Sequence, residues 1–149
     1  HIMLVAQLVA EPSDHTRCCI MAVTTCVVAA LQAMISNSSF TRNSAAYGGA
    51  IYVRKHARAT LQDCNFNGNQ ADSGAAIYLK QESSTDVLGC NFSNNNATSG
   101  AGINCDNCRL QVANAVLVNN SAVNSGGGVL SLGTAQVRVP YSGWQSVAF

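Results

Sequence analysis

The feature that most constrains this chain is a tandem repeat with a period of about 26 residues. Four segments align: Phe40-Thr-Arg-Asn43-Ser-Ala-Ala-Tyr-Gly48-Gly-Ala-Ile51, Phe66-Asn-Gly-Asn69-Gln-Ala-Asp-Ser-Gly74-Ala-Ala-Ile77, Phe92-Ser-Asn-Asn95-Asn-Ala-Thr-Ser-Gly100-Ala-Gly-Ile103 and Leu117-Val-Asn-Asn120-Ser-Ala-Val-Asn-Ser-Gly126-Gly-Gly-Val129. In the first three, Asn follows Phe by three residues, Gly by eight and Ile by eleven. The fourth has Leu for Phe and one extra residue before its glycines. Each copy also carries an apolar residue five before the Phe position: Ile35, Leu61, Val87 and Val112. The Phe-position intervals are 26, 26 and 25.

One such unit cannot bury its Phe and Ile alone, so the units must stack. Stacking at a strand spacing of about 4.8 Å predicts an internal column Phe40, Phe66, Phe92, Leu117 and a second column Ile51, Ile77, Ile103, Val129. A third, Asn43, Asn69, Asn95, Asn120, reads as an asparagine ladder: its amides bond between rungs, and asparagine tolerates a left-handed turn. Each repeat should hold a strand through the Phe, a turn at the Asn and a strand through Gly-Gly-Ala-Ile-Tyr. A third strand or loop should then return to the next copy. Tyr52, Tyr78 and Asn104 should point outward. The period excludes left-handed β-helices, the missing Leu-x-x-Leu-x-Leu pattern excludes leucine-rich repeats, and the apolar spacing excludes helical repeats. The fold class is therefore all-β, a right-handed parallel β-helix with one repeat per rung.

The repeats occupy residues 35–139. Residues 1–34 do not match them. Within that segment Cys18–Ile35 is an uncharged run, just long enough to raise a membrane span. Its Val, Ile, Thr and Cys content, and its passage straight into the first repeat, favour a degenerate first rung or N-terminal cap. No basic region precedes a signal-like apolar run. Residues 140–149, Pro-Tyr-Ser-Gly-Trp-Gln-Ser-Val-Ala-Phe, form an aromatic tail that would fold over the solenoid end or dock on another chain.

Only 10% of residues are charged and the net charge is +1, against an ordinary quarter charged. The basic residues form no stripe, which argues against a nucleic-acid partner. Seven cysteines are many for a reducing compartment. Cys105-Asp-Asn-Cys108 reads as a structural disulfide, since no second CxxC or histidine pair completes a zinc site. Cys64 and Cys90 share one repeat position and are disulfide candidates, as are Cys18, Cys19 and Cys26. The odd total leaves one thiol unpaired or bonded to another chain. Asn37, Asn91, Asn96 and Asn119 head Asn-x-Ser/Thr sequons, and strand alternation turns Asn91 outward beside Phe92. Cysteines and sequons together predict a secreted or cell-surface glycoprotein.

Phe-x-x-Asn followed by Gly-Gly-Ala-Ile, matched fully over Phe40–Ile51, resembles the paired motifs of the chlamydial polymorphic outer-membrane protein family, surface autotransporters with adhesin roles. Similar repeats occur in β-helix proteins of algae and other protists. The later copies relax the second motif, and the resemblance covers roughly residues 35–130. These residues are not expected to include an autotransporter barrel. The resemblance implies a surface scaffold or adhesive role and names no ligand.

Enzymes on such a fold cleave polysaccharides, using clustered acids, or acids with Ca²⁺. The acids here are Glu11, Asp14, Asp63, Asp72, Glu82, Asp86 and Asp106, and no two align in adjacent rungs. Asp72, beside the asparagine column, is the best single candidate; a turn-stabilising role is its plainer explanation. Arg54, Lys55, His56 and Arg58 form the basic cluster, explained by a solvated loop or by weak binding to an acidic glycan. A copper site on His1 would need a second histidine and another fold. No catalytic, metal or cofactor site is expected. The leading expectation is a non-enzymatic extracellular structural or adhesive β-helix, with glycans or cell-surface ligands as partners. Uncapped solenoid ends suggest head-to-tail self-association into a filament. The alternatives are a polysaccharide lyase or hydrolase, tested by pectin or alginate cleavage and Asp72→Ala, and a fragment of a larger adhesin, tested by intact mass.

Overall fold

A computed structural model describes residues 32–138, together with the backbone of Ile20–Met21 and Cys26–Ala29. Two short strands come first, β1 (Ile20–Met21) and β2 (Cys26–Ala29). Four coils follow. The first holds β3 (Gln32–Ser36), β4 (Ser39–Thr41), β5 (Ser44–Tyr47) and β6 (Ile51–Arg54). The second holds β7 (Arg58–Gln62), β8 (Asn65–Asn67), β9 (Gln70–Ser73) and β10 (Ile77–Lys80). The third holds β11 (Ser84–Leu88), β12 (Asn91–Ser93), β13 (Asn96–Ser99) and β14 (Ile103–Asp106). The fourth holds β15 (Arg109–Ala113), β16 (Val116–Val118), β17 (Ser121–Ser125) and β18 (Val129–Leu132), and β19 (Gln136–Arg138) opens the next pass.

Equivalent strands pair in parallel into four sheets, giving a β-solenoid of about 26 residues per turn. In chain order these are an arginine sheet (β3-β7-β11-β15-β19), a phenylalanine sheet (β1-β4-β8-β12-β16), an alanine sheet (β5-β9-β13-β17) and an isoleucine sheet (β2-β6-β10-β14-β18). The register places Phe40, Phe66, Phe92 and Leu117 in one column and Ile51, Ile77, Ile103 and Val129 in another. Both columns, with Ile35, Leu61, Val87 and Val112, are buried in one core. Neighbouring Phe rings stack at 4.9 and 4.7 Å with planes 5° apart.

Several expectations are corrected. The coil has four sides, because Ser44–Tyr47 and its equivalents form a strand of their own. The Gly-Gly-Ala stretch is the corner before Ile51 and lies outside the strand. The alanine sheet packs its own small core of Ala71, Ala75, Ala97 and Ala101, and it meets the isoleucine sheet at an inner corner. A Cβ on Gly74 would crowd the Tyr78 Cβ at 2.8 Å, at a φ of +64° that already favours glycine. That corner also changes the fate of the residues after the Ile. They alternate out of the main core, yet Tyr78 is 5% exposed and Asn104 2% exposed. Tyr47 covers Tyr78, with ring centroids 5.3 Å apart.

A further correction concerns the turns. The ladder asparagines do not take the left-handed conformation. The residue before each one does: Arg42, Gly68, Asn94 and Asn119 all have φ between 54° and 66°. The other corners repeat the device. Asn37, Asp63, Gly89 and Asn114 turn the chain into the phenylalanine sheet, and Gly48, Gly74, Gly100 and Gly126 turn it towards the isoleucine sheet.

The shorter last interval of the repeat also has a location. Three residues separate β6 from β7 and β10 from β11, but only Asn107 and Cys108 separate β14 from β15. The extra residue of the fourth repeat is taken up in β17, where the register shifts between Ala97 and Ser99 of its partner. Most of residues 1–34, and all of the 140–149 tail, lie outside the described residues. Among the described residues no helix is long and apolar enough to cross a membrane.

Candidate functional site

The asparagine column is a continuous buried network. Oδ1 of Asn69 accepts from the backbone N–H of Asn43 at 3.0 Å and from its Nδ2 at 3.1 Å. Oδ1 of Asn95 and Oδ1 of Asn120 receive the same two bonds from Asn69 and Asn95 respectively. The second amide hydrogen reaches back to the preceding Phe carbonyl: Asn69 to Phe40, Asn95 to Phe66, Asn120 to Phe92. The ladder is scaffold: Asn43, Asn69 and Asn95 are fully buried, and Asn120 at its end is half-buried.

The cysteines separate into two kinds. Cys105 and Cys108 are disulfide-bonded across the shortened corner before β15. Cys64 and Cys90 are buried free thiols one rung apart. The Cys64 thiol donates to Gln62 O at 3.3 Å, and the Cys90 thiol donates to Leu88 O at 3.4 Å. The hydrogen bond with Cys90 draws Cys64 down to about 7, and the same bond, then burial, pushes Cys90 up. The two thiols share one hydrogen bond and titrate as a pair. Cys18 and Cys19 lie outside the described residues, and for Cys26 only the backbone is described.

All four sequon asparagines are exposed. Asn37 and Asn119 sit at left-handed corners. Asn91 is on the outer face of the phenylalanine sheet, where its Nδ2 donates to Asn65 Oδ1 at 3.3 Å. Asn96 begins β13. Asp72 is exposed on the alanine sheet and borders a shallow hollow of about 330 Å³ with Ser44, Gln70, Asn96 and Thr98. It is the lone carboxylate among the described residues lining that hollow.

The solenoid divides the basic cluster of residues 54–58. Arg54 stands on the isoleucine sheet with its guanidinium 5.5 Å from the Tyr52 ring centre, a cation–π arrangement. Lys55 and His56 are at the corner, and Arg58 opens β7 on the arginine sheet. In exchange, the fold brings Arg109 and Arg138 to that same sheet. Ser84 pairs with Arg58 on one side and with Arg109 on the other, Arg109 pairs with Gln136, and Gln111 pairs with Arg138. Arg58 and Arg109 thus stand in one outward column, two rungs or about 10 Å apart.

Two hollows flank Arg109. One, about 340 Å³, runs along the corner and is lined by His56, Arg58, Glu82, Ser84, Arg109 and Gln136 among others. The second, about 300 Å³, is lined by Asp86, Arg109, Leu110, Gln111, Gln136 and Arg138. Glu82 is 3.6 Å from His56, an exposed pairing of little energetic weight. No carboxylate of the described residues lies within ion-pair distance of Arg58, Arg109 or Arg138. This face was invisible in the linear chain, where Arg58, Arg109 and Arg138 stand far from one another. The signal that could have found it is the repeat itself, applied to the charged positions. Among the described residues no group of three potential metal ligands gathers.

A family model described as "Right handed beta helix region" matches residues 22–139. No curated protein and no solved structure matches the chain.

Proposed function

We propose, from the premise that this chain belongs to the right-handed β-helix family, that it is a non-catalytic structural or adhesive β-helix of the cell exterior. It holds ligands on its outer faces without converting them. One observation carries this reading. The described acids Asp63, Asp72, Glu82, Asp86 and Asp106 each occupy a different column, and Asp86 has Thr60 and Gln111 as its strand neighbours. Glycoside cleavage uses two carboxyl groups set across one bond, and the register builds no such stacked pair from these residues. The Cys105–Cys108 disulfide favours an oxidising compartment. The exposed sequons favour a glycoprotein, and the resemblance to the chlamydial polymorphic outer-membrane proteins favours adhesion. The test is incubation with a panel of acidic and neutral polysaccharides, following new reducing ends, alongside binding to cell surfaces. The expected result is adhesion without cleavage. Cleavage lost on Asp72→Ala would establish the alternative, a lyase or hydrolase.

A head-to-tail filament is the second reading, and one observation favours it. The fourth coil carries exposed Val116, Val118 and Leu132 where the coil beneath carries Asn91, Ser93 and Asp106 at the paired positions, and Val123 is exposed on β17. An apolar rim beside strand edges invites another coil, from a second copy or from more of a longer adhesin. Filaments by electron microscopy of native protein are expected on this reading; a monodisperse monomer at high concentration removes it.

A further inference from the structure

We propose that the outer face of the arginine sheet binds a linear glycan in which a uronate alternates with a neutral sugar, laid along the solenoid axis. This deepens the adhesive reading and rests on it. The face has the charge pattern of such a polymer, written in rungs. Arg58 and Arg109 lie two rungs apart in one column, with neutral Ser84 between them. Their guanidinium groups face no carboxylate within ion-pair distance among the described residues, so each has its donors free for a planar anion. The hollows on either side of Arg109 give a chain somewhere to lie. Arg138 extends the positive track on the neighbouring column, past Gln111.

The middle rung decides the class of polymer. There the side chains beside Ser84 are Glu82 and Asp86, one bordering each hollow. A carboxylate of the ligand placed at that rung would lie between these two acids, and like charges repel. A neutral sugar placed there donates its hydroxyl groups to them instead. A homopolymer of uronates has an acid on every sugar, so it cannot avoid the middle rung. A disaccharide repeat with one acid matches the Arg58–Arg109 separation in length and leaves the middle rung neutral. A nucleic-acid strand, with one charge per roughly 3.4 Å, is too densely charged for arginines about 10 Å apart. Gln32, Thr60, Gln111 and Gln136 face outward around the arginines and supply neutral hydrogen bonds along the track.

The experiment uses the full chain and immobilised hyaluronan oligosaccharides, whose glucuronate alternates with N-acetylglucosamine. Polygalacturonate and dextran serve as comparators. Saturable binding to hyaluronan is expected, about tenfold or more tighter than to polygalacturonate, as one lost charge contact implies. Arg109→Gln and Arg58→Gln should each weaken it about tenfold. Arg42→Gln, on the corner between the phenylalanine and alanine sheets, should leave it unchanged, with circular dichroism confirming the fold of all three. Equal or tighter binding of polygalacturonate, no binding of hyaluronan, or indifference to Arg109→Gln would overturn the proposal. If hyaluronan fails while the protein still adheres to cells, the glycan assignment falls and the adhesive reading stands. If hyaluronan binds and is shortened, the ligand class stands and the non-catalytic reading falls.

Discussion

Asn69 donates from Nδ2 to Oδ1 of Asn95 at 2.9 Å, and the backbone N–H of Asn69 shares that acceptor at 3.0 Å. One oxygen therefore satisfies two buried donors of the rung below, and the link repeats between Asn95 and Asn120. Replacing Asn95 by Ala strips the Asn69 backbone N–H of its acceptor and removes the donor to Phe66 O. Orphaned buried groups cost about 1–3 kcal/mol each, so Asn95→Ala should destabilise the solenoid by about 3 kcal/mol. The urea midpoint should fall with the slope unchanged. Asn95→Asp keeps the acceptor but sets a carboxylate oxygen against Asn120 Oδ1 and Phe66 O at a fully buried site, and at neutral pH it should destabilise at least as much as Ala.

The aromatic column makes a second, graded prediction. Phe66 is enclosed between Phe40 and Phe92. Phe66→Ala leaves a cavity between two rings and should cost about 3–5 kcal/mol. Phe66→Leu should cost clearly less, because the column already accepts Leu117 above Phe92. A series measured by chemical denaturation tests the order.

The inward columns were legible in the linear chain because Phe-x-x-Asn and the following Ile recur at fixed spacing with one chemistry. The fourth side of the coil was not. Ser44-Ala-Ala-Tyr47, Gln70-Ala-Asp-Ser73 and Asn96-Ala-Thr-Ser99 have low strand propensity, and they become strands because their neighbours in adjacent coils pair with them. The left-handed positions were hidden for a related reason. Arg42, Gly68, Asn94 and Asn119 have no common side-chain chemistry, and the backbone torsion is set by the corner. The burial of Tyr78 follows from the inner corner that Tyr47 closes, which no local pattern encodes. The outer arginines were missed because charged positions were read along the chain, where Arg54 and Arg58 are neighbours. In the solenoid Arg58 and Arg109 share one column, two rungs apart.

The Cys105–Cys108 disulfide closes a short loop. The chain-entropy relation assigns a loop of this size about 2 kcal/mol. Reduction, or the double substitution Cys105→Ala with Cys108→Ala, should lower stability by roughly that amount. The loss should appear as faster amide exchange at Asn107 and Arg109, with the Phe column still protected. Equal exchange across the chain would show that the bond supports the whole solenoid and not its corner.

Tyr78 gives the stability a limit at high pH. Burial first, then the Asp106 charge, pushes its hydroxyl up to about 12 from an ordinary value of 10.0. Its OH donates to Asp106 Oδ2 at 3.4 Å. The folded state therefore resists ionisation more than the unfolded chain does. Stability from this group is complete below pH 10 and is lost as pH rises from about 10 to 12. Tyr78→Phe should flatten the stability profile over that window, while phenolate absorbance of the wild type should show a late-titrating tyrosine.

The third coil drops one residue at the corner before β15, and the fourth regains one within β17. Each change alone would throw every later side chain out of phase with the column beneath it. Because a corner absorbs the first and a bulge the second, Val129 falls on Ile103 as though nothing had happened. Corners and bulges here act as the expansion joints of a ruler whose graduations are strands. Length can vary between the marks while the marks themselves keep their alignment, and that alignment holds Arg109 above Ser84.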